Sequence, residues 1–370
     1  MNLEQLVEAL RASPAFMQNV TRWETQPARP ARLAAFPEGI DPRIPAVLKS
    51  RGVQSLYTHQ RQAVDAVLRG EHIVVVTPTA SGKTLCYNLP VLHAILQNED
   101  ARALYLFPTK ALSADQSNEL YELIQAMDVP IKAFTYDGDT PAAARRSIRQ
   151  AGHVVVTNPD MLHAAILPGH TKWVKLFENL KYVVIDEIHA YRGVFGSNLA
   201  NVIRRLKRLA AFYGSRPQFI CCSATIANPR ELAERMTGEA MTLIDENGAP
   251  MGERHVVFYN PPVVNKQLGI RKSSLLETRA MASLLVKNSV QTIVFAKSRL
   301  QVEVLTRYLK ELVKDPLGGA DRVRGYRGGY LPTQRREIEQ GLRSGYVTAV
   351  VATNALELGI DIGLLDACVL

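Results

Sequence analysis

Cysteine is scarce in this chain of 370 residues, and the spacing of the few present is informative. Cys86, Cys221, Cys222 and Cys368 form no C-x-x-C pair, so a zinc site is not expected. Cys221 and Cys222 are neighbours within an apolar run, which favours reduced residues in a protein core. The cysteines therefore indicate neither a structural metal nor a fold that depends on disulfide bonds.

The sequence also lacks the features of a membrane or secreted protein. No apolar run reaches the roughly 20 residues that a membrane-spanning helix needs. The N-terminus has no basic segment followed by an apolar one, which a secretory signal would show. We therefore expect a soluble, cytoplasmic protein without a membrane partner.

Acidic residues are fewer than basic ones. The 35 Asp and Glu residues stand against 44 Lys and Arg residues, which gives a net charge of +9. Such an excess favours a polyanionic partner, with nucleic acid ahead of an anionic membrane. Charge alone is equally compatible with a solubility requirement, so a nucleic-acid partner needs support from motifs.

What the chain does contain is a regular alternation of apolar runs and helix-length segments. With 47% hydrophobic and 21% charged residues it can bury globular cores. The alternation predicts βαβ units and parallel sheets, hence an α/β fold. The predicted strands are residues 73–76, 103–107, 131–135, 154–156, 182–185, 218–221, 292–295, 321–326, 347–352 and 365–370.

The less periodic stretches suggest how the chain is divided. We predict an N-terminal helix and connector at 1–45, a first α/β domain at 46–250, a linker at 251–270 and a second α/β domain at 271–370. A cluster of glycines and prolines marks the predicted linker.

Local patterns refine the N-terminal part. Residues 2–12 have an amphipathic pattern, and Asn2 with Gln5 three positions later is typical of a capping box. Residues 23–37 are rich in Pro, Arg and Ala, which predicts an extended connector. Residues 44–68 are predicted to be helical.

Residues 72–84, HIVVVTPTASGKT, have the layout of a phosphate-binding loop between a strand and a helix. In such a loop the backbone N–H groups and the helix N-terminus point at phosphate oxygens. Lys83 would neutralise the β- and γ-phosphates, and Thr84 would place its hydroxyl on Mg²⁺. The predicted nucleotide-binding residues of the loop are Thr79, Ala80, Ser81, Gly82, Lys83 and Thr84. Thr77 stands where the strict motif has glycine, so a plain strand–turn–helix is the alternative.

An acidic pair follows the predicted strand at 182–185. Asp186 would hold Mg²⁺, usually through water, and Glu187 would orient and deprotonate an attacking water. The ordinary alternative is an acidic strand end that caps a helix. Parallel strands place both this pair and the phosphate loop at the same sheet edge, which favours the catalytic interpretation.

Several further motifs occur in an order that resembles the superfamily-two helicases. They are PTKAL (108–112), YDGDTP (136–141), TNPDML (157–162), DEIH (186–189), SAT (223–225), VFAKSR (294–299), RGGY (327–330) and ATNALELGIDIG (352–363). The residues of these motifs are most similar to those of the YprA/MrfA-type DEAD/DEAH-box DNA helicases, and the resemblance covers residues 45–370. The resemblance implies two RecA-like parallel-sheet domains, a P-loop NTPase helicase core, with ATP and Mg²⁺ as cofactors.

The resemblance also implies roles for individual residues. Gln60, with Tyr57 nearby, corresponds to the motif that recognises adenine, and Asp361 to an acid that faces the nucleotide. His189, Ser223 and Thr225 would couple hydrolysis to domain movement, with His189 next to the catalytic pair. The residues that would grip a nucleic-acid backbone are Thr109, Lys110, Thr157, Asn158, Ser298, Arg299, Arg327, Gly328 and Thr353. Taken singly, each of these residues is equally explained as an ordinary turn or surface residue.

Two family features are missing from the sequence. The arginine-rich sixth motif and the four-cysteine zinc domain would follow Leu370, so we expect a truncated chain whose second domain is incomplete. Apolar surface of the sheet in that domain would be exposed unless a neighbouring molecule or the N-terminal segment covers it. The predicted function is an ATP-dependent DNA helicase or translocase of the DNA repair type, acting on single-stranded or tailed DNA. The alternatives are an RNA helicase and a module that binds ATP and nucleic acid without turnover.

Overall fold

The computed structural model describes residues 1–312, 322–353, 356 and 365–370. The chain forms two compact units. The first unit is Ala28–Gly252, and the second unit combines Met1–Pro27 with Glu253–Leu370. The predicted N-terminal segment 1–45 is therefore divided between them.

Strands and helices alternate through most of the chain, as predicted. The described strands are β1 (Val20–Gln26), β2 (Leu33–Ala34), β3 (Leu56–Tyr57), β4 (Ile73–Val76), β5 (Arg102–Leu106), β6 (Ala133–Thr135), β7 (Val154–Thr157), β8 (Leu180–Ile185), β9 (Gln218–Ser223), β10 (Thr242–Ile244), β11 (Arg254–Tyr259), β12 (Val263–Asn265), β13 (Ile270–Arg271), β14 (Thr292–Phe295), β15 (Val323–Tyr326), β16 (Ala349–Ala352) and β17 (Ala367–Val369). The described helices are α1 (Leu3–Ala12), α2 (Pro14–Met17), α3 (Arg43–Ser50), α4 (Thr58–Leu68), α5 (Thr84–Gln97), α6 (Lys110–Met127), α7 (Ala142–Ala151), α8 (Pro159–Met161), α9 (Val174–Glu178), α10 (Gly193–Phe212), α11 (Pro229–Thr237), α12 (Ser274–Lys287), α13 (Arg299–Leu312) and α14 (Pro332–Arg343).

The first unit is built on a seven-stranded sheet in the order β10-β4-β9-β8-β5-β7-β6, and every pairing in it is parallel. β4 shows why its sequence is uniformly apolar. Ile73 and Val75 enter one buried cluster, while Val74 and Val76 enter the cluster on the opposite face. A strand covered on both faces needs apolar side chains at every position.

The prediction of a continuous helix over residues 44–68 is wrong. α3 ends at Ser50, and Gly52 adopts a φ of 89°, which is a left-handed conformation that stops a helix. β3 then pairs with β2 before α4 begins at Thr58. The Gln60 side chain accepts a hydrogen bond from the Tyr57 backbone N–H at 2.9 Å, which helps to define this new helix start.

The second unit contains a four-stranded parallel sheet in the order β15-β16-β14-β17. Outside this sheet, β1 pairs with β11 in an antiparallel ribbon, so the predicted connector and linker regions both contain strand. α1 begins with the expected capping box between Asn2 and Gln5. Its buried Leu6 packs with Leu285 and Val290, beside the partly buried Ala367 and Val369. The N-terminal helix thus supplies apolar cover near β17.

The predicted α/β fold class with two parallel sheets is confirmed. Among the described residues, no helix has both the length and the apolar character needed to cross a membrane.

Candidate functional site

The carboxyl ends of the parallel strands bring the predicted motifs of the first unit to one sheet edge. Along neighbouring strands, the residues that follow or end each strand are Ser81 after β4, Ser223 in β9, Asp186 after β8, Thr109 after β5 and Asn158 after β7. The carboxyl edge of an open parallel sheet is where α/β proteins bind ligands. The topology therefore places the phosphate loop next to the acidic pair.

The phosphate loop is held closed by its own side chains. Lys83 Nζ donates hydrogen bonds to the carbonyl oxygens of Thr77 (2.9 Å) and Pro78 (3.0 Å). The hydroxyls of Thr77 and Ser81 lie 2.6 Å apart. Within the loop, Ala80 and Gly82 have positive φ angles of 62° and 75°, and Thr77 does not. Thr77 can therefore replace the glycine of the strict motif without backbone strain.

Gln60 contacts the loop directly. Its Nε2 donates to the carbonyl oxygen of Gly82 at 2.8 Å. A Cβ atom at position 82 would lie 2.5 Å from Gln60 Nε2, so only glycine allows this approach. Tyr57 stacks on His59 with ring centroids 5.9 Å apart. Gln60 thus contacts the phosphate loop and also accepts the Tyr57 backbone N–H, while Thr79 and Ala80 of the loop are exposed.

The acidic pair is buried. The Asp186 Oδ1 atom accepts a hydrogen bond from the Glu187 backbone N–H at 2.8 Å. Burial raises the pKa of both carboxyls, and the charge of Glu187 adds to the rise at Asp186. The positive charge of Lys83 acts in the opposite direction on both groups, which shows that the loop lysine is close enough to matter electrostatically.

Glu187 is held in an uncommon geometry against His189. Its φ is 51°, a left-handed value that non-glycine residues seldom adopt. Glu187 Oε2 lies 3.2 Å from His189 Nδ1, which also accepts a hydrogen bond from the Ala224 backbone N–H at 3.1 Å. The hydroxyl of the buried Ser223 lies 3.5 Å from the same nitrogen. The predicted coupling motif therefore touches the predicted base, while Thr225 is exposed.

A chain of hydrogen bonds joins the two predicted metal ligands. Thr84 Oγ1 donates to Gln116 Oε1 at 3.0 Å. The Tyr87 hydroxyl lies 3.0 Å from that same oxygen and 3.2 Å from Asp186 Oδ2. Neither Gln116 nor Tyr87 was predicted as a site residue, because both follow a motif without belonging to it, and sequence alone does not show what a helix side chain reaches.

The donor chemistry around Thr84 and Asp186 fits Mg²⁺. Both offer oxygen atoms, and the carboxyl is buried with a raised pKa, so a cation would relieve its unfavourable burial. Glu187 Oε2 is likewise buried and makes no hydrogen bond to the described residues. The described residues contain no cluster of three or more His, Cys, Asp or Glu side chains suited to a metal. Mg²⁺ commonly takes only one or two protein carboxylates, with phosphates and water as its other ligands.

The predicted nucleic-acid residues of the first unit lie in two different environments. Lys110 is exposed at the start of α6 and forms an ion pair of 2.6 Å with Asp139. Thr109 caps the same helix, and its hydroxyl accepts a hydrogen bond from the Leu112 backbone N–H at 3.3 Å. Thr157, in contrast, is buried, and its hydroxyl donates to the Tyr136 carbonyl at 2.6 Å. The Thr157 hydroxyl is thus used inside the fold rather than at the surface.

Asn158 lies at the surface next to Thr157. Its side-chain oxygen accepts a hydrogen bond from the Met161 backbone N–H at 2.9 Å, which caps the short helix α8. Its amide nitrogen remains a hydrogen-bond donor of the kind that contacts phosphate oxygens.

In the second unit, the other predicted nucleic-acid residues follow the carboxyl ends of β14, β15 and β16; they are Ser298, Arg299, Arg327, Gly328 and Thr353. Arg327 is paired with Glu303 at 2.7 Å and stacks over the Tyr330 ring. In each unit, then, one cation that was predicted to bind nucleic acid is paired with a carboxylate. Asp361, the predicted nucleotide-facing acid, lies outside the described residues.

His59 was also missed by sequence reasoning. It is fully buried, and its Nδ1 accepts a hydrogen bond from the Gly248 backbone N–H at 3.2 Å. Burial lowers the pKa of His59 to about 4, so the ring is neutral at physiological pH. Position 248 must be glycine, because a Cβ atom there would lie 2.3 Å from Thr58 Oγ1. The packing fixes α4, and with it Gln60, beside the loop.

Comparison with protein families gives two matches. Residues 57–232 match the DEAD/DEAH box helicase family, and residues 276–370 match the helicase conserved C-terminal domain. Together these ranges contain every predicted site residue.

Comparison with individual proteins agrees. The chain is 60% identical to the ATP-dependent helicase YprA of Bacillus subtilis, over all of this chain and 49% of that protein. It is 35% identical to the ATP-dependent helicase hrq1 of Schizosaccharomyces pombe, over all of this chain and 36% of that protein. The crystal structure of the DUF1998 helicase MrfA bound to DNA superposes with a TM-score of 0.95 at 60% identity, covering all of this chain and 48% of that one. The chain thus spans half or less of the length of these relatives.

Proposed function

Because the chain belongs to the DEAD/DEAH box helicase family, we propose that it is the ATP-driven core of a DNA helicase or translocase. The observation that carries this proposal is the buried pair Asp186 and Glu187 beside the Lys83–Thr84 loop. We take residues 46–250 as the ATP-binding domain, 251–270 as the linker and 271–370 as the second helicase domain. A structure of a 60%-identical relative was solved with DNA and AMPPNP, which supports both ligands.

The nucleotide would be bound by the loop and by Gln60. Lys83 now donates to two carbonyl oxygens of its own loop, and phosphate oxygens would replace these acceptors. The backbone N–H groups of residues 79–82 would complete the phosphate contacts. Gln60 would recognise the adenine, with Tyr57 alongside.

Hydrolysis would depend on the acidic pair. Mg²⁺, held by Thr84 and Asp186, would neutralise charge on the β- and γ-phosphates. Glu187 would orient the attacking water and accept its proton, for which a carboxylate with a raised pKa is suited. His189 and Ser223 lie between this base and the end of β9, so they could transmit a change at Glu187 to the rest of the first unit.

Nucleic acid would be gripped by its backbone. The cations and polar groups at the strand ends suit phosphate contacts that carry no sequence information. They are the exposed Lys110 and half-buried Asn158 in the first unit and the exposed Arg299 and half-buried Arg327 in the second. ATP binding and hydrolysis would close and reopen the two helicase domains. Their grips on one strand would then alternate, so that the protein steps along it. We further propose a role in DNA repair and a cytoplasmic location; all four cysteines are free, as expected in a reducing compartment.

One comparison tests the proposal against its nearest competitor, an RNA helicase. ATP hydrolysis by the chain should rise more with single-stranded DNA than with RNA of the same sequence. Binding should be nearly independent of base sequence and should weaken as salt rises, with a logarithmic slope of about −0.7 per phosphate contact. Greater stimulation by RNA would assign the RNA substrate, and failure to bind ATP would contradict the proposal as a whole.

Asp139 offers a prediction about the strength of the grip. Asp139→Asn removes the ion-pair partner of Lys110 and, with it, one negative charge near the proposed path of the DNA. The pair is exposed, so it is worth only about 0.2–1 kcal/mol. We expect single-stranded DNA to bind roughly 1.4- to 5-fold tighter at low salt, and the gain to shrink at high salt.

A matched control is Asp128→Asn, which removes an exposed carboxylate at the other end of α6. It should leave the DNA dissociation constant unchanged. Weaker binding by Asp139→Asn would mean that Asp139 orients Lys110 instead of competing for it.

A further inference from the structure

Gln116 connects two parts of the first unit that serve different ligands in the proposed function. It lies on α6, whose start carries Thr109 and Lys110; its side-chain oxygen accepts a hydrogen bond from Thr84 and lies 3.0 Å from the Tyr87 hydroxyl. We propose that Gln116 is a positioning residue that orients the metal ligand Thr84 and couples occupancy of the nucleotide site to the grip of α6 on nucleic acid. This inference rests on the proposed function.

The hydroxyl of Thr84 has a defined acceptor for its proton. A hydroxyl that binds a cation uses a lone pair for the metal and needs an acceptor for its proton. In this chain that acceptor is Gln116 Oε1, 3.0 Å away. Partners that orient metal ligands in this way typically change metal affinity by about 10- to 100-fold when they are removed.

The single proton of the Tyr87 hydroxyl has two acceptors within reach. That hydroxyl is buried between two acceptors, Gln116 Oε1 at 3.0 Å and Asp186 Oδ2 at 3.2 Å, and it can donate to only one of them at a time. While Asp186 is a bare carboxylate it is the stronger acceptor. Once a bound cation neutralises Asp186, the balance moves towards Gln116. The proton therefore has two alternative positions, and the nucleotide site selects between them.

The helix α6 connects Gln116 to the proposed DNA contacts at its start. Gln116 lies about two helical turns after Thr109, so both residues are near the same end of the helix. Ser117, the next residue, is tied to Thr135 of β6 through a hydroxyl contact of 3.0 Å. A change in the bonds at Gln116 thus acts on the part of α6 that starts at the proposed DNA contacts. If the sites are coupled, the nucleotide changes the affinity for DNA by the same factor by which DNA changes the affinity for the nucleotide.

The test uses the 370-residue chain and three variants. Gln116→Leu removes the acceptor at similar volume, Gln116→Glu keeps an acceptor oxygen, and Gln125→Ala changes an exposed glutamine on the same helix. Two quantities are measured: the Mg²⁺ concentration for half-maximal binding of a fluorescent, non-hydrolysable ATP analogue, and the ratio of single-stranded DNA dissociation constants without and with that analogue.

Gln116→Leu should raise the Mg²⁺ requirement about 10- to 100-fold. It should also bring the DNA ratio close to one, while DNA affinity without nucleotide stays within about twofold. Gln116→Glu, which still accepts the Thr84 proton, should not raise the Mg²⁺ requirement, and Gln125→Ala should match the unmodified chain in both quantities. A Leu variant with the unmodified Mg²⁺ requirement and ratio would overturn the inference.

Tyr87→Phe separates the coupling from any folding defect of the Leu variant. It removes the hydroxyl that carries the movable proton and leaves Gln116 as the acceptor for Thr84, so the Mg²⁺ requirement should change little while the DNA ratio falls towards one. An unchanged ratio in a folded Phe variant would overturn the coupling role. If the unmodified chain binds no ATP analogue, the proposed function itself has failed, and this outcome differs from every result above.

Discussion

Lys83→Ala is expected to weaken binding of Mg–ATP by roughly 30- to 4000-fold, because removal of one partner from a desolvated charge contact costs about 2–5 kcal/mol. Lys83 is the cation of the loop, and its ammonium group already donates to the carbonyls of Thr77 and Pro78. Alanine cannot supply charge to phosphate oxygens. Titration with a fluorescent ATP analogue measures the loss directly.

A thermal melt distinguishes lost binding from lost folding. At about 100 times its dissociation constant, a ligand stabilises the folded protein by about 2.7 kcal/mol. Mg–ATP should therefore raise the melting temperature of the unmodified chain and leave that of Lys83→Ala unchanged. Lys132→Ala, which removes an exposed lysine of the same unit, should keep the full response. Nucleotide affinity in Lys83→Ala equal to that of the parent would remove the loop from the site.

Glu187→Gln should preserve nucleotide binding and abolish most turnover. The substitution keeps the shape of the side chain and leaves Asp186 in place, but an amide cannot accept the proton of the attacking water. Loss of a general base typically lowers the rate by about 10²- to 10⁴-fold. Single-turnover hydrolysis in the presence of single-stranded DNA measures the effect, with Glu178→Gln, an exposed glutamate, as control.

The same variant should be no less stable than the parent. Burial raises the pKa of Glu187 in the folded protein, so its ionised form costs stability at any pH above that raised pKa. A neutral amide at this position removes that cost. A variant that melts at the same or a higher temperature and hydrolyses ATP at nearly the parental rate would contradict the assignment of Glu187 as the base.

The parts of the fold that sequence predicts well are those specified by neighbouring residues. β4 and β14 have the bounds that their β-branched and apolar residues predicted, Ile73–Val76 and Thr292–Phe295. The capping box of α1 needs only Asn2 and Gln5. In the same way, the order of parallel strands was sufficient to predict that the phosphate loop and the acidic pair share one sheet edge.

What sequence could not predict depends on contacts between distant segments. β1 is a polar strand whose partner, β11, lies far along the chain, and nothing in its own residues identifies that partner. Gln116 reaches Thr84, 32 positions away, only because the folded chain brings this part of α6 close to the start of α5. The strand β3 interrupts residues 44–68 because it pairs with β2, which outweighs the helical tendency of the segment. In each case a tertiary contact decides the outcome.

The pairing of β1 with β11 also has a consequence for biosynthesis. Thr21 and Phe258, which share a hydrogen bond across this ribbon, are 237 positions apart. At roughly 5–20 residues per second, a ribosome needs about 12–50 s to make the second strand after the first. During that interval the continuous segment Ala28–Gly252 can fold alone, while β1 and the apolar face of α1 wait for partners not yet made. This interval is when a nascent chain of this topology is most exposed to aggregation and has most to gain from a ribosome-bound chaperone.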